Sequence, residues 1–175
     1  MGRAPYARTV PRIARKHLPS EGIYHVTARS VHGQPLFVHD VDRLEFLSIF
    51  ETATRKAEWI CHAWSLMDTH YHLVLETSMA VLFHTMHRLN TAYAQRFNRR
   101  HGRRGHLFES RFSAWVIRDD AHLEATCRYV LDNPARAGLA RLEPWPWAAL
   151  DPYASSSPTS SSETSAKSSY ERPTA

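Results

Sequence analysis

Two cysteines, Cys61 and Cys127, stand far apart and outside any C-x-x-C spacing, so neither a disulfide framework nor a zinc ribbon organises this chain. They read as small core residues in a reducing compartment. No stretch approaches the ~20 apolar residues that a spanning helix requires, and the basic start, MGRAPYARTVPRIARKH, has no apolar segment of the secretory kind. These absences predict a cytoplasmic protein with no membrane partner. Acidic residues are also nearly missing from one long stretch: between Arg88 and Arg118, only Glu109 opposes Arg96, Arg99, Arg100, Arg103, Arg104 and Arg111.

What is present is enough for one core. A length of 175 residues with 43% hydrophobic side chains supports one sizeable domain and is short for two. The net charge of +5 is concentrated in the arginine-rich stretch, where Tyr93, Phe97, Phe108, Phe112 and Trp115 are interleaved. Such a field attracts polyanions and such aromatics can stack bases; a solvated arginine face over core aromatics is the other reading. Arginine far outnumbers lysine, which tilts the balance toward phosphate, since the planar guanidinium fork matches phosphate oxygens.

Residues 1–20, basic and carrying Pro5, Pro11 and Pro19, read as an extended arm. From SEGIYHVTARS onward a strand is expected, with Tyr24, Val26 and Ala28 alternating against His25, Thr27 and Arg29. Asp40 can cap a helix to about Lys56 whose apolar positions are Leu44, Leu47, Ile49 and Phe50. WICHAWSL and HYHLVLET read as an antiparallel pair divided by Met67, Asp68 and Thr69.

A second helix follows with the stripe Leu82, Met86, Leu89, Tyr93 and Phe97, stopping near HGRRG. FSAWVIR is the last strand, and Asp119 or Asp120 caps a third helix that Pro134 should end at Asn133. EPWPWAALDPY should pack back through Trp145 and Trp147, while the Ser/Thr-rich residues 154–175 cannot bury enough apolar area to order themselves. The order strand, helix, strand, strand, helix, strand, helix predicts an α+β fold, a ferredoxin-like or RRM-like antiparallel sheet with one added C-terminal helix, spanning residues 21–153.

The stretch MDTHYHLVLET raises a question of chemistry. Alternation places His70 and His72 on one face of the strand, ~7 Å apart at ~3.3 Å per residue, with Tyr71, Leu73 and Leu75 on the other. The imidazoles can converge on a metal ion, or simply stand on a partly exposed polar face. In AHLEATCRYVLDNPARAG the expected core stripe is Leu123, Cys127, Val130 and Leu131. Tyr129 and Asn133 fall on one flank, a turn apart, so a phenol and an amide oxygen can approach the same point. Tyr129 as a plain boundary residue with its hydroxyl in water is the competing reading.

Taken in order, YHVTARS, MDTHYHLVLET, MHRLNTAYAQRFNRRHGRRGHLFESRF and RYVLDNPARAGLA resemble the REP-associated tyrosine transposases. These are an insertion-sequence-like branch of the single-tyrosine HUH endonucleases, and the resemblance covers residues 22 to about 150. It implies that His70 and His72 are the metal pair, that Tyr129 is the nucleophile, and that Asn133 supplies a third metal-side group for Mg²⁺ or Mn²⁺. It further implies a monomer that acts on single-stranded hairpin DNA, forming a 5′-phosphotyrosine and freeing a 3′ hydroxyl. Thr69 stands where the family commonly has Asn, and Asp132 replaces an apolar residue.

Phenols are protonated at neutral pH, so attack by one needs an electrophilic phosphate, which a divalent ion supplies. Arg88, Arg99, Arg100, Arg103, Arg104 and Arg111 are the candidates to follow the DNA backbone. His25 and Glu76 are candidates to orient an imidazole. His84 and His87 read as solvated histidines. A non-catalytic, RRM-like binding module derived from a transposase and a small metal hydrolase are the competing functions.

Overall fold

The computed structural model describes residues 20–139 and 145–150. The arm, apart from Ser20, and the Ser/Thr-rich tail lie outside the described residues. The alternation read from the first strand is present: in β1, Glu21–Arg29, the side chains of Tyr24, Val26 and Ala28 are buried and those between them are not. Then follow α1 (Asp40–Ala57), β2 (Ile60–Leu66), β3 (His70–Ser78), α2 (Met79–Arg100), β4 (Ser113–Ile117), α3 (Asp120–Arg136) and a short β5 (Ala148–Leu150).

The five strands form one sheet in the order β4-β1-β3-β2-β5, and every neighbouring pair is antiparallel. The first four strands with α1 and α2 have the βαββαβ connection of a ferredoxin-like fold. The fold expectation is therefore met, with α3 as the added helix and β5 as an edge strand the pattern did not announce.

One face of the sheet carries the main core. Tyr24, Val26, Cys61, Leu66, Tyr71, Leu73 and Leu75 pack there against Phe46 and Phe50 of α1 and the stripe Leu82, Met86, Leu89, Tyr93 and Phe97 of α2. Burying each such α2 side chain contributes roughly 2 kcal/mol, which holds the helix more firmly than its propensity does. The Tyr71 hydroxyl donates to Asn90 Oδ1 at 2.6 Å within this core, satisfying its one polar atom.

α3 lies across the other face. A smaller cluster of Ala63, Val74, Ile117 and Val130 forms beneath it, joined by Ile23, Leu123, Cys127 and Tyr129. A shift of register between Cys61 and Ala63 brings His62 and Ala63 to this same side, so β2 serves both clusters despite its short length.

Three local expectations are corrected. Leu44 is 44% exposed, and the buried line of α1 is Asp42, Arg43, Phe46 and Phe50. The helix is capped at His39, not Asp40, because the Asp42 carboxylate accepts the backbone N–H groups of Val38 and His39. α3 runs through Pro134 to Arg136, and its buried line is Thr126, Val130 and Pro134 in place of the stripe that included Leu123 and Leu131. The ring of Pro134 is buried, and the side-chain amide of Asn133 donates to the Tyr129 carbonyl at 3.4 Å, which steadies a turn the missing N–H would loosen.

Trp145 and Trp147 pack back as expected: Trp145 Nε1 donates to the Leu66 carbonyl at 2.9 Å, and the Leu66 N–H donates to the Trp147 carbonyl at 2.8 Å. Arg43, almost fully buried, lies over both indole rings and pairs with Asp68 at 2.6 Å. Among the described residues no helix is long and apolar enough to cross a membrane.

Candidate active site

The alternation that sends Tyr71, Leu73 and Leu75 into the main core turns His70 and His72 toward the face that α3 crosses. Their rings stand edge to face with centroids 5.0 Å apart. The β1 register sets Thr27 opposite His72 and Arg29 opposite His70. On the same face, His25 Nε2 lies 2.9 Å from His72 Nδ1, and the two rings stack at 5.1 Å.

Each imidazole has one nitrogen engaged by a neighbour. Thr69 Oγ1 is 3.2 Å from His70 Nδ1, so the threonine that replaces the expected asparagine still offers an oxygen to the ring. His72 is buried, and its Nε2 has no hydrogen-bond partner. Burial first, and then neighbouring basic groups, disfavour the protonated form of these rings. His70 is lowered to about 4 by burial and by Arg29, against an opposing pull from Asp68. His25 is lowered to about 4 by burial and His122, and His72 is driven well below the usual histidine range, chiefly by burial.

α3 brings the phenol. The Tyr129 ring meets His72 edge to face at 5.8 Å between centroids and His25 at 6.1 Å. Asn133 follows one turn later on the same helix. The guanidinium of Arg136 lies 5.7 Å from the centre of the Tyr129 ring, a contact that seven-residue spacing on the helix could have announced. Asp132 is exposed and shares a groove along α3 with Glu124, Arg128, Tyr129 and Arg136.

The other sequence candidates scatter. Glu76 does hold an imidazole, but that of His62, at 3.0 Å. His84 and His87 are exposed on α2, which packs on the opposite side of the sheet from His70. Arg100, also on α2, is tied to Asp42 at 2.9 Å and to Glu45, and Arg103 lies over Phe97 with its guanidinium bonded to Gln34. Arg88, Arg99, Arg104 and Arg111 are exposed and form no ion pair among the described residues. Arg104 and Arg111 belong to the segment that joins the end of β1 through the Glu109 N–H to the Arg29 carbonyl, at the same end of the sheet as His70.

Of the five aromatics interleaved with arginines, Tyr93, Phe97 and Phe112 are core residues and Phe108 packs against the core. Trp115 alone is exposed, at 38%, beside the ring of His25. Arg29, which the sequence reading does not single out as a site residue, stands opposite His70, and its parity with His25 along β1 is the signal in the sequence that announces it.

Imidazoles and a phenol are gathered on one face of a ferredoxin-like antiparallel sheet, which sets the protein in the α+β class. The family itself follows from comparison with known proteins: a model described as "Transposase IS200 like" matches residues 20–133, and the chain belongs to that family. Membership brings DNA as the substrate and an activity of the endonuclease or transferase kind. Among solved structures the chain is similar to a REP-associated tyrosine transposase bound to a REP hairpin. The TM-score is 0.57 at 15% identity, over 74% of this chain and 77% of that one. At that identity the likeness speaks for the fold. No curated protein matches.

Proposed function

We propose that this protein is a metal-dependent, single-stranded DNA endonuclease and strand transferase that cleaves hairpin-forming DNA through a 5′-phosphotyrosine on Tyr129. The observation that carries this reading is the convergence of Tyr129 with His72 and His25 from a helix and two strands. A phenol placed only to finish a core would not need two neutral imidazoles at its edge.

A divalent ion fits the donors. The orphaned Nε2 of buried His72 is what a ligand nitrogen looks like without its ligand, and His70 keeps Nε2 for the same use while Nδ1 meets Thr69. In the tautomer that suits a cation, His72 Nδ1–H donates to His25 Nε2, and the His72 Nε2 lone pair is left for the metal. Among the described residues no three His, Cys, Asp or Glu side chains gather as a metal cluster, so the set would be His70, His72 and the amide oxygen of Asn133. With two nitrogens and an oxygen, Mn²⁺ and Mg²⁺ are the candidates. When bound, the ion supplies Lewis-acid polarisation of a phosphate oxygen.

The chain's own residues do the rest. The phenol oxygen of Tyr129 bonds to phosphorus and releases its proton to solvent; the bond from phosphorus to the 3′ oxygen breaks, and that oxygen leaves as a hydroxyl after taking a proton. Arg136, over the phenol ring, stands where a phosphate joined to Tyr129 would need a counter-charge. The phosphotyrosine retains the energy of the original ester, so a 3′ hydroxyl can attack it and rejoin or transfer the strand.

Denaturing electrophoresis of labelled hairpin DNA incubated with protein and Mn²⁺ tests this. A covalent band is expected from the natural protein and none from Tyr129→Phe; a band that survives the substitution removes Tyr129 as nucleophile. That no three His, Cys, Asp or Glu side chains among the described residues gather as a metal cluster is what favours a binding module that does not cut. That reading predicts hairpin binding with no covalent band under any metal.

A further inference from the structure

α3 packs chiefly on β2, β3 and β5 and reaches β4 at Ile117, which joins Val130 beneath it; farther along the same face Trp115 of β4 and Arg29 of β1 are exposed. Between them on β1 lie His25, paired with Trp115 across the register, and Thr27, both half-buried. The exposed large apolar side chains among the described residues are Val38, Val41, Leu44, Val81, Trp115 and Leu150, so Trp115 is the one aromatic among them.

Its place is specific. The indole sits 5.6 Å from the His25 ring, and the His25 ring sits 6.1 Å from that of Tyr129. Four residues along β1 from His25, about 13 Å at ~3.3 Å per residue, Arg29 stands exposed opposite His70. An apolar ring open to solvent and a guanidinium at the far end of one strip, with the phenol between them and α3, match the two surfaces of an unpaired nucleotide strand. Bases stack on the first and phosphates meet the second.

We infer that this strip is a subsite for single-stranded DNA next to the cleaved phosphate, with Trp115 as the stacking platform for an unpaired base and Arg29 as the phosphate contact. The inference deepens the reading of Tyr129 as a nucleophile acting on single strands, and it assigns to Trp115 a positioning role that the reaction itself does not require. A duplex does not fit it, because paired bases have no free face for the indole. A strand laid along the strip would pass the His25 edge with its backbone toward Tyr129.

The test separates the subsite from the chemistry by reading binding alone, in EDTA, with fluorescein-labelled oligo(dT) as the probe. Trp115→Ala should weaken the affinity roughly tenfold or more, and Trp115→Phe should restore most of it. Binding of oligo(dT) should quench the tryptophan fluorescence of the natural protein by an amount that Trp115→Ala removes. Trp115→Phe should keep the natural melting temperature, and Trp115→Ala, which uncovers the part of the indole that is not exposed, should lower it while the protein stays folded at the temperature of the binding assay. Equal affinity for Trp115→Ala and the natural protein overturns the inference; so does a Phe variant as weak as the Ala variant, or a natural protein that does not bind oligo(dT). Loss of the covalent adduct with stacking intact would sink the nucleophile instead and leave the subsite standing.

Discussion

His25 Nε2 lies 2.9 Å from His72 Nδ1, so the inner imidazole of the pair on β3 is fixed from the neighbouring strand. A hydrogen bond between two neutral rings needs one donor and one acceptor, and the choice decides which His72 nitrogen keeps its lone pair. His25→Ala should therefore weaken Mn²⁺ dependence of adduct formation by about 10- to 100-fold. His25→Gln, whose amide oxygen can accept the same N–H, should recover part of it. A metal titration of adduct yield reads this directly, and an unchanged half-saturation in His25→Ala would remove His25 from the site.

Arg136 over the Tyr129 ring should act on the bound phosphate and not on the fold, since its side chain is exposed. Arg136→Ala is expected to reduce the slope of log affinity for hairpin DNA against log salt by about one. Melting temperature should stay the same. A slope identical to that of the natural protein would place the guanidinium outside the DNA path.

The Asp42 carboxylate is fully buried on the far side of the sheet from the histidines. Burial pushes its pKa up, but hydrogen bonds from His101, the His39 N–H, Arg100 and the Val38 N–H together win and hold it below the ordinary 3.8. A depressed carboxylate contributes its stability fully above the unfolded value and loses it as pH falls through the lower folded value. Stability should thus decline on acidification below about pH 5. Asp42→Asn should cost about 3 kcal/mol at neutral pH and flatten that acid limb. Chemical denaturation from neutral to acid pH measures both, and an unflattened limb would mean that another carboxylate governs it.

Tyr71→Phe removes the hydroxyl that donates to Asn90 Oδ1 and leaves a buried acceptor without its partner. The expected cost is about 1–2 kcal/mol of stability. His70 and His72, on the opposite face of the same strand, should keep their positions, so adduct formation below the melting range should be retained. Loss of adduct at full folding would show that the Tyr71 bond sets the register of β3.

How much of the site was legible follows from period. A two-residue period in β3 puts His70 and His72 together whatever the strand packs against, and a 3.6-residue period in α3 puts Tyr129, Asn133 and, one further turn on, Arg136 along one side. The α2 stripe was readable for the same reason. Leu44 departs from the pattern because hydrophobicity alone does not bury a side chain: α1 turns Asp42 and Arg43 inward to meet partners from α2 and the β2–β3 turn. The arginines of α2 could not be sorted by sequence, since the carboxylates that occupy Arg100 come from another helix.

By itself the sequence determined the order of elements, the two faces of each strand and the residue types available for chemistry, because these depend on contacts between near neighbours along the chain. Which imidazole reaches which was decided by the β1–β3 register and by the face over which α3 folds. Those are pairings between segments about fifty to about a hundred residues apart, His25 with His72 and both with Tyr129, and no local period encodes them. The exposure of Trp115 has the same origin: it depends on how far along β4 the cover of α3 reaches, a matter of packing between distant elements.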